Sequence, residues 1–591
     1  MANSFEALHV DPKMFKDTTP FTDEGQKLTL SWLNLSYKVK FGGGYKYLVQ
    51  DLSGIVRPGE TLAIMGPSGA GKTSLMNLLA NRIKSGVTEG EILVNGKARS
   101  KDFTFQASYV AQENLFLEIF SVRESLEFAA NLTMPSSSTK KEKEAKIDEV
   151  VKIMGLQSCE NTMVGGGFYR GLSGGQMKRL GIAVTLLSGA SILFLDEPTS
   201  KLDSAAAFNV VQTIQQLADQ GKTVIFSIHQ PSSELFASLD KLTIITMGQI
   251  VYFGEAKESL DYFSNLGFPC PKYTNPADHF ISLVNPDFGH FPNIDKIISS
   301  YNDSKLVQRI ESEHQELTEI PQALINKNRA SFLTQFALLF ERNGRNTVFN
   351  PKVFRARLFS NCLFGFLFSS LYSLTPRGEV PAFAITALFF TIMNQFGTQT
   401  LAALPFFLAL RPIFVRERSN GMYSVLPFQL ANFIATVPTL AIYSLAATSI
   451  FHTWLGLAGS YYWFWLTAFC LLLCTESVMH ILSAVTPYYV VAYSIAALYI
   501  IFFTCTAGYL VPTNQLIYIL QYSSYASFFV YSFQNFIYNE FKDTPKNYDV
   551  LISYSAEDVD MELNLLIMGG FVVVLQFIFF LLLFFFNTGK Q

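Results

Sequence analysis

Charge is scarce in this chain, and the scarcity is uneven. Only 15% of its 591 residues are Asp, Glu, Lys or Arg, against about 25% in an ordinary soluble protein. Residues 1–350 carry a normal share, whereas 358–540 hold long stretches with almost none. That excludes a wholly soluble protein and describes a soluble half joined to a membrane half. Cysteine is sparse too. There are six, no C-x-x-C pair occurs, and Cys362, Cys470, Cys474 and Cys505 lie inside apolar runs. A disulfide framework or a zinc site is therefore not expected. No basic block appears and the net charge is −3, so nothing points to nucleic acid. Residues 1–26 form a polar tail without the charged-then-apolar pattern of a signal peptide, from which a cytosolic amino-terminal half is expected.

What the soluble half does contain is a phosphate-binding pattern. In TLAIMGPSGAGKTSLMNLLANRI (61–83) a short apolar run enters a glycine-rich loop, and Leu75, Met76, Leu78, Leu79 and Ile83 then recur at helical spacing. Gly66, Pro67, Ser68, Gly69, Ala70, Gly71, Lys72, Thr73 and Ser74 fit G-x-x-x-x-G-K-S/T. The glycines let backbone N–H groups approach phosphate oxygens at a helix amino terminus. Lys72 is placed to reach the β/γ-phosphates, and the Thr73 hydroxyl to ligate Mg²⁺. Further on, the apolar run Ser191–Leu195 ends in Asp196–Glu197. A strand buried on both faces delivers such side chains to the carboxyl edge of a sheet. There Asp196 can hold Mg²⁺, and Glu197 can orient or deprotonate an attacking water. Gln112 follows SYVA, LSGGQMKR (172–179) opens a helix, and the strand-like KTVIFSIHQP (222–231) carries His229. Each has a bland alternative: a surface glutamine, a helix cap, a core histidine. The fixed order of all five is the specific signal.

At this point the sequence resembles the ATP-binding cassette proteins, with their α/β P-loop fold. GPSGAGKT looks like the Walker A loop, ILFLDE like the Walker B strand and LSGGQ like the family signature, with Gln112 as the Q-loop and His229 as the switch histidine. The resemblance implies ATP and Mg²⁺ as cofactors and Gln112 as a further Mg²⁺ contact. It also implies that Ser173, Gly174, Gly175 and Gln176 of one cassette cap ATP held by another, with Asp203 on the same side. One copy of each motif implies a dimer, either a homodimer or a pair with a related half-transporter.

Windows of about 20 apolar residues mark bilayer-spanning helices. Candidates lie near 356–374, 380–404, 428–451, 461–485, 490–511 and 563–586. A further stretch, 514–539, lacks charge but is rich in Gln, Ser and Tyr, which suits a re-entrant or interfacial segment. Arg342, Arg345, Lys352, Arg355 and Arg357 precede the first span, and Arg411, Arg416 and Arg418 lie between the second and third. That asymmetry keeps the cassette and both termini cytosolic. The expected organisation is a cassette at 27–290, a linker and connecting helix at 291–350, and an all-α six-helix domain at 351–591.

A cassette ahead of six spans resembles the G subfamily, the White-type half-transporters that include pigment-precursor, sterol, lipid and multidrug exporters. FSVRESLEFAA (120–130), FSIHQP (226–231), NPADHFI (275–281), VRERSNGMYSV (415–425) and LQYSSY…QNFIYNEF (520–541) carry the likeness. It implies export of a hydrophobic or amphipathic molecule, a place among membrane lipids (the plasma membrane before an internal one) and a coupling role for Glu417. A non-transporting regulator of a membrane partner is the alternative. A soluble cassette acting on ribosomes is discarded, because such proteins lack the membrane half.

Three features depart from the family pattern or stand alone. Asn394 and Phe396 suggest a substrate path, but the aromatic comes one position earlier than in the multidrug member, a turn of about 100° around a helix. Glu476 and His480, at i and i+4, share a helix face. They serve either as polar contacts in that path or as groups satisfied by each other or by a neighbouring helix. Lys201 stands where the family has glycine, a residue that tolerates positive φ. Its side chain either reaches solvent or sits near the partner's nucleotide.

Overall fold

The computed structural model describes residues 27–587, apart from 84, 114, 167–169, 289–290, 318–329, 349–350, 374–381 and 544–547. The expected polar tail at 1–26 lies outside the described residues. The chain divides into two compact units, one built on residues up to Ala330 and the other on Ser331–Ser419 and Tyr423 onward.

Among the described residues ten strands build the first unit: β1 (Leu30–Phe41), β2 (Gly44–Val56), β3 (Thr61–Met65), β4 (Val87–Val94), β5 (Lys97–Ala98), β6 (Ala107–Val110), β7 (Ile192–Leu195), β8 (Thr223–Ser227), β9 (Lys241–Thr246) and β10 (Gln249–Glu255). They form a four-stranded sheet, β2-β1-β4-β5, and a six-stranded sheet, β10-β9-β3-β8-β7-β6. The first is antiparallel. In the second, β9, β3, β8, β7 and β6 run parallel and β10 closes the edge antiparallel. Every residue of β3, β7 and β8 is buried, which is why these strands read as unbroken apolar runs rather than alternating ones. Trp32 of β1 packs edge-on against Phe253 of β10, with centroids 6.3 Å apart.

Between β6 and β7 the chain forms helices Val122–Thr133, Lys140–Ile153 and Gly174–Leu186. Each opens on a reciprocal cap, Ser121 with Glu124, Thr139 with Glu142 and Ser173 with Gln176, the S/T-x-x-E/Q signature that satisfies two orphan amides at once. The unit also takes in more chain than the expected boundary at 290 allowed. Helices Phe291–Asn302 and Lys305–Gln315 belong to it, with Ile294 and Ile297 fully buried and Glu313 paired to Arg57 at 2.9 Å.

The second unit is helical. Helix Phe332–Val348 precedes Pro351–Ser373, Ala382–Leu401, Leu404–Ser419, Val425–Leu455, Tyr461–Val485 and Tyr489–Cys505. After the short helices Tyr518–Tyr525, Phe528–Phe541 and Tyr548–Ser553 comes the last long one, Met561–Phe585. Among the described residues four helical segments are long and apolar enough to cross a membrane: Ala382–Ser419, Val425–Leu455, Tyr461–Val485 and Met561–Phe585. Tyr489–Cys505 is apolar but shorter. One expectation needs correcting: the fifth stretch stops at Cys505 rather than 511. The stretch 514–539 holds two short helices, the second starting where Ser527 accepts from the Phe529 amide.

Candidate functional site

The order of the parallel strands brings the sequence motifs together. The loop Gly66–Gly71 follows β3, His229 follows β8, Asp196–Glu197 follow β7, and Gln112 follows β6. These four strands are consecutive neighbours in the sheet, so their carboxyl ends form one edge with adjacent chains about 4.8 Å apart. The loop itself demands glycine. A Cβ on Gly66 would lie 2.2 Å from the Ile245 carbonyl oxygen, and one on Gly71 would lie 2.6 Å from that of Leu48, with Gly71 at φ 104°. The helix Lys72–Leu79 begins directly after it.

Lys72 is buried, and its Nζ donates to the carbonyls of Gly66 at 2.7 Å and Pro67 at 2.9 Å. Burial holds its ammonium below the ordinary lysine value, with Glu197 and Asp196 nearby opposing that shift. Asp196 is buried as well. Its carboxylate accepts from the Ser227 hydroxyl at 2.7 Å and the Tyr109 hydroxyl at 3.1 Å. The same Ser227 oxygen accepts the Glu197 amide at 2.8 Å, which fixes a residue held at φ 44°. The Gln112 side-chain amide donates to the Glu197 carboxylate. Lys178 Nζ ties the two segments by donating to the carbonyls of Gln112 and Glu197, the latter at 3.3 Å. Sequence reasoning missed Ser227, Tyr109 and Lys178. Ser227 and Tyr109 end or line strands beside β7, and only the strand order reveals that they face it.

His229 and Thr73 are exposed at the same edge. The signature helix that carries Lys178 begins at an exposed cap. Ser173 accepts the Gln176 amide at 3.3 Å, and Gln176 accepts the Ser173 amide at 2.9 Å. Ser173 and Gly174 are exposed, while Gly175 is buried against Ala206. Asp203 caps the helix Ser204–Asp219 by accepting the Ala206 amide at 2.7 Å. Lys201 adopts φ 62°, the left-handed conformation expected of a glycine slot, and its ammonium lies 3.5 Å from Glu113 with the side chain 80% exposed.

The donor set fits a nucleoside triphosphate: a cation and a glycine loop at a helix start for phosphate, beside a buried carboxylate and an exposed threonine hydroxyl. Among the described residues no cluster of three His, Cys, Asp or Glu side chains could hold a metal alone. Mg²⁺ does not need one, since it takes one or two protein oxygens plus phosphate and water.

In the second unit Glu417 is buried, and both its oxygens accept from Arg342 Nη1, at 2.9 and 2.7 Å. The Tyr423 hydroxyl donates to it at 2.6 Å. Glu476 and His480 do not pair with each other. Glu476 receives both Nη groups of Arg357, at 3.3 and 3.1 Å. His480 Nδ1 meets the Gln576 amide at 3.1 Å, and its ring lies between Phe407 and Phe579. Both are 2% exposed or less and do not line an open path; within this unit a neighbouring helix satisfies the Glu476 carboxylate, whereas buried His480 Nε2 meets no partner among the described residues. Phe396 is 1% exposed, and no face of its ring is open to a ligand. Asn394 is half-buried.

A nucleotide-hydrolysing sheet edge on one unit, joined to a helical unit with membrane-crossing segments, defines an ATP-binding cassette transporter. The family described as ABC transporter matches residues 49–200, and those described as ABC-2 type transporter match 334–541 and 229–287. The chain is 32% identical to ABC transporter G family member 22 of Dictyostelium discoideum, with 96% of each covered. It is 30% identical to the broad substrate specificity ATP-binding cassette transporter ABCG2 of Mus musculus, over 87% of this chain and 84% of the other. Protein white of Drosophila melanogaster is 31% identical, over 84% and 75%. The chain belongs to the ABC transporter G family. It is an ATP-hydrolysing half-transporter, one cassette ahead of one membrane domain.

Proposed function

We propose that two copies of this chain pair through their cassettes and export a hydrophobic or amphipathic molecule, such as a lipid, sterol, pigment precursor or xenobiotic. The observation that carries this reading is the clustering of Lys72, Asp196, Glu197, Gln112 and His229 at one sheet edge, together with the exposed helix start at Ser173 and Gly174. A site of this kind is completed by a second cassette.

In this reading Lys72 exchanges the Gly66 and Pro67 carbonyls for the β/γ-phosphates. Thr73, Asp196 and Gln112 supply oxygens for Mg²⁺, which would neutralise phosphate charge. Glu197, released by Gln112, orients the attacking water, and His229 contacts the γ-phosphate. The Ser173–Gln176 start and Asp203 face the partner's nucleotide. The Arg342–Glu417–Tyr423 cluster transmits closure, because it locks helix Phe332–Val348 to the turn after Leu404–Ser419. Six crossings are proposed, by Pro351–Ser373, Ala382–Leu401, Val425–Leu455, Tyr461–Val485, Tyr489–Cys505 and Met561–Phe585, with the cassette cytosolic and the plasma membrane as the site.

Co-expression of wild type with a differently tagged Lys72→Ala copy tests the pairing. Composite sites make activity fall faster than the wild-type fraction, whereas a strictly proportional fall would contradict the dimer.

A further inference from the structure

Lys178 lies on the helix Gly174–Leu186, behind its exposed start, and is only 8% exposed. A buried ammonium has three protons to place, and a carboxylate is its usual partner. Here, among the described residues, every partner is neutral: the carbonyls of Gln112 and Glu197, the second at 3.3 Å, and the Ser200 hydroxyl at 3.4 Å. Burial holds the Lys178 pKa below the ordinary lysine value, with Glu197 the foremost of the carboxylates that oppose the shift.

The two carbonyls belong to residues whose side chains also meet, since the Gln112 amide donates to the Glu197 carboxylate. Glu197 sits at φ 44°, a left-handed conformation that costs a non-glycine residue about 1–2 kcal/mol and persists only where the surroundings impose it. The restraints lie on both sides of its Cα. Ser227 accepts its amide at 2.8 Å. Its carbonyl receives Lys178 together with the Ser200 amide, the latter at 3.1 Å. Lys178 then ties that carbonyl to the Gln112 segment.

We propose that Lys178 is a positioning residue for hydrolysis: it fixes the main chain of Gln112 and Glu197, so that their side chains can part and the Glu197 carboxylate can turn to the attacking water without a backbone shift. The inference rests on the role given to Glu197 above. Lys178 touches neither nucleotide nor water in this account, and phosphate is held by Lys72 and the loop Gly66–Gly71. Losing Lys178 therefore slows the chemical step and spares ATP binding. A displacement of about 1 Å at the carboxylate is enough for a loss of about a hundredfold.

ATP turnover by the full chain in lipid discs, measured beside equilibrium binding of the non-hydrolysable analogue AMP-PNP with Mg²⁺, tests this. Lys178→Met keeps the apolar stem and removes the donors. It should lower kcat about tenfold to a hundredfold and leave the AMP-PNP dissociation constant within about twofold of wild type. Lys178→Arg keeps a charged donor and should recover part of kcat. Lys178→Gln, neutral but able to donate to one carbonyl, gives a second reading should Lys178→Met fold poorly, with the same split and a smaller loss. Undiminished kcat in the folded Met or Gln variant overturns the proposal. So does a loss of AMP-PNP affinity that matches the loss of kcat, which would make Lys178 a prop for the whole cassette. Glu197→Gln separates this inference from the reading beneath it. Turnover lost there but kept in Lys178→Met removes Lys178 alone, whereas turnover kept in Glu197→Gln removes both.

Discussion

Removing the charge of Glu417 should be among the most damaging single changes in the second unit. Arg342 Nη1 lies 2.7 Å from its carboxylate, and both side chains are 5% exposed or less. At an effective dielectric of about 20 that separation is worth about 6 kcal/mol of attraction. Taking both ions out of water offsets most of it, so the net gain from the pair is small. Breaking the pair is a different matter. Glu417→Gln keeps the shape but leaves the Arg342 cation buried without a counter-charge, at a cost of about 3–5 kcal/mol. Arg416 also lies 3.6 Å from Glu417, so Arg342→Met and Arg416→Met with Glu417→Leu and Tyr423→Phe removes the cluster's charges together and should regain most of that loss. The assay is urea denaturation in mild detergent, following intrinsic fluorescence. A Glu417→Gln protein within about 1 kcal/mol of wild type, or a quadruple variant less stable than the single one, would refute the reasoning.

Lys201→Gly should leave the melting temperature nearly unchanged, whereas Lys201→Val, which puts a branched side chain at φ 62°, should cost about 1–2 kcal/mol; equal melting of the two variants would count against strain there. If Lys201 also approaches the partner's nucleotide, Lys201→Gly changes ATP turnover, and unchanged turnover and ATP affinity retire that role. Because burial depresses the Lys72 pKa below 10.5, the unfolded chain binds more protons than the folded one between the lowered value and 10.5. That contribution makes stability rise with pH in this window, and Lys72→Met should flatten the slope measured by alkaline denaturation.

The cassette was legible because its chemistry is local. The loop at 66–74 announces itself by glycines that no other residue can replace, and buried β3 and β7 by unbroken apolar runs. Three helix starts carry reciprocal caps, including Ser173 with Gln176, a local pattern that the motif reading passed over. What stayed hidden depends on distant packing. Arg357 reads as a basic residue before a span, yet it sits on the face that meets Glu476, 119 residues away. A spacing of i, i+4 put Glu476 and His480 on one face without saying that they would turn to two different helices, one to Arg357 and the other to Gln576. The helices at 291–315 look like linker by composition, and only the burial of Ile294 and Ile297 assigns them to the cassette. Lys201 could be recognised as out of place from the sequence; its positive φ and its partner Glu113 could not.

The most direct test of the account is ATP hydrolysis by the chain expressed alone in lipid discs, beside Glu197→Gln. Hydrolysis by the wild type that the substitution abolishes, with ATP still bound, is the predicted result and places Glu197 at the attacking water. Hydrolysis undiminished in Glu197→Gln would contradict the assignment of the site. A folded, dimeric wild type with no turnover would contradict a self-sufficient homodimer.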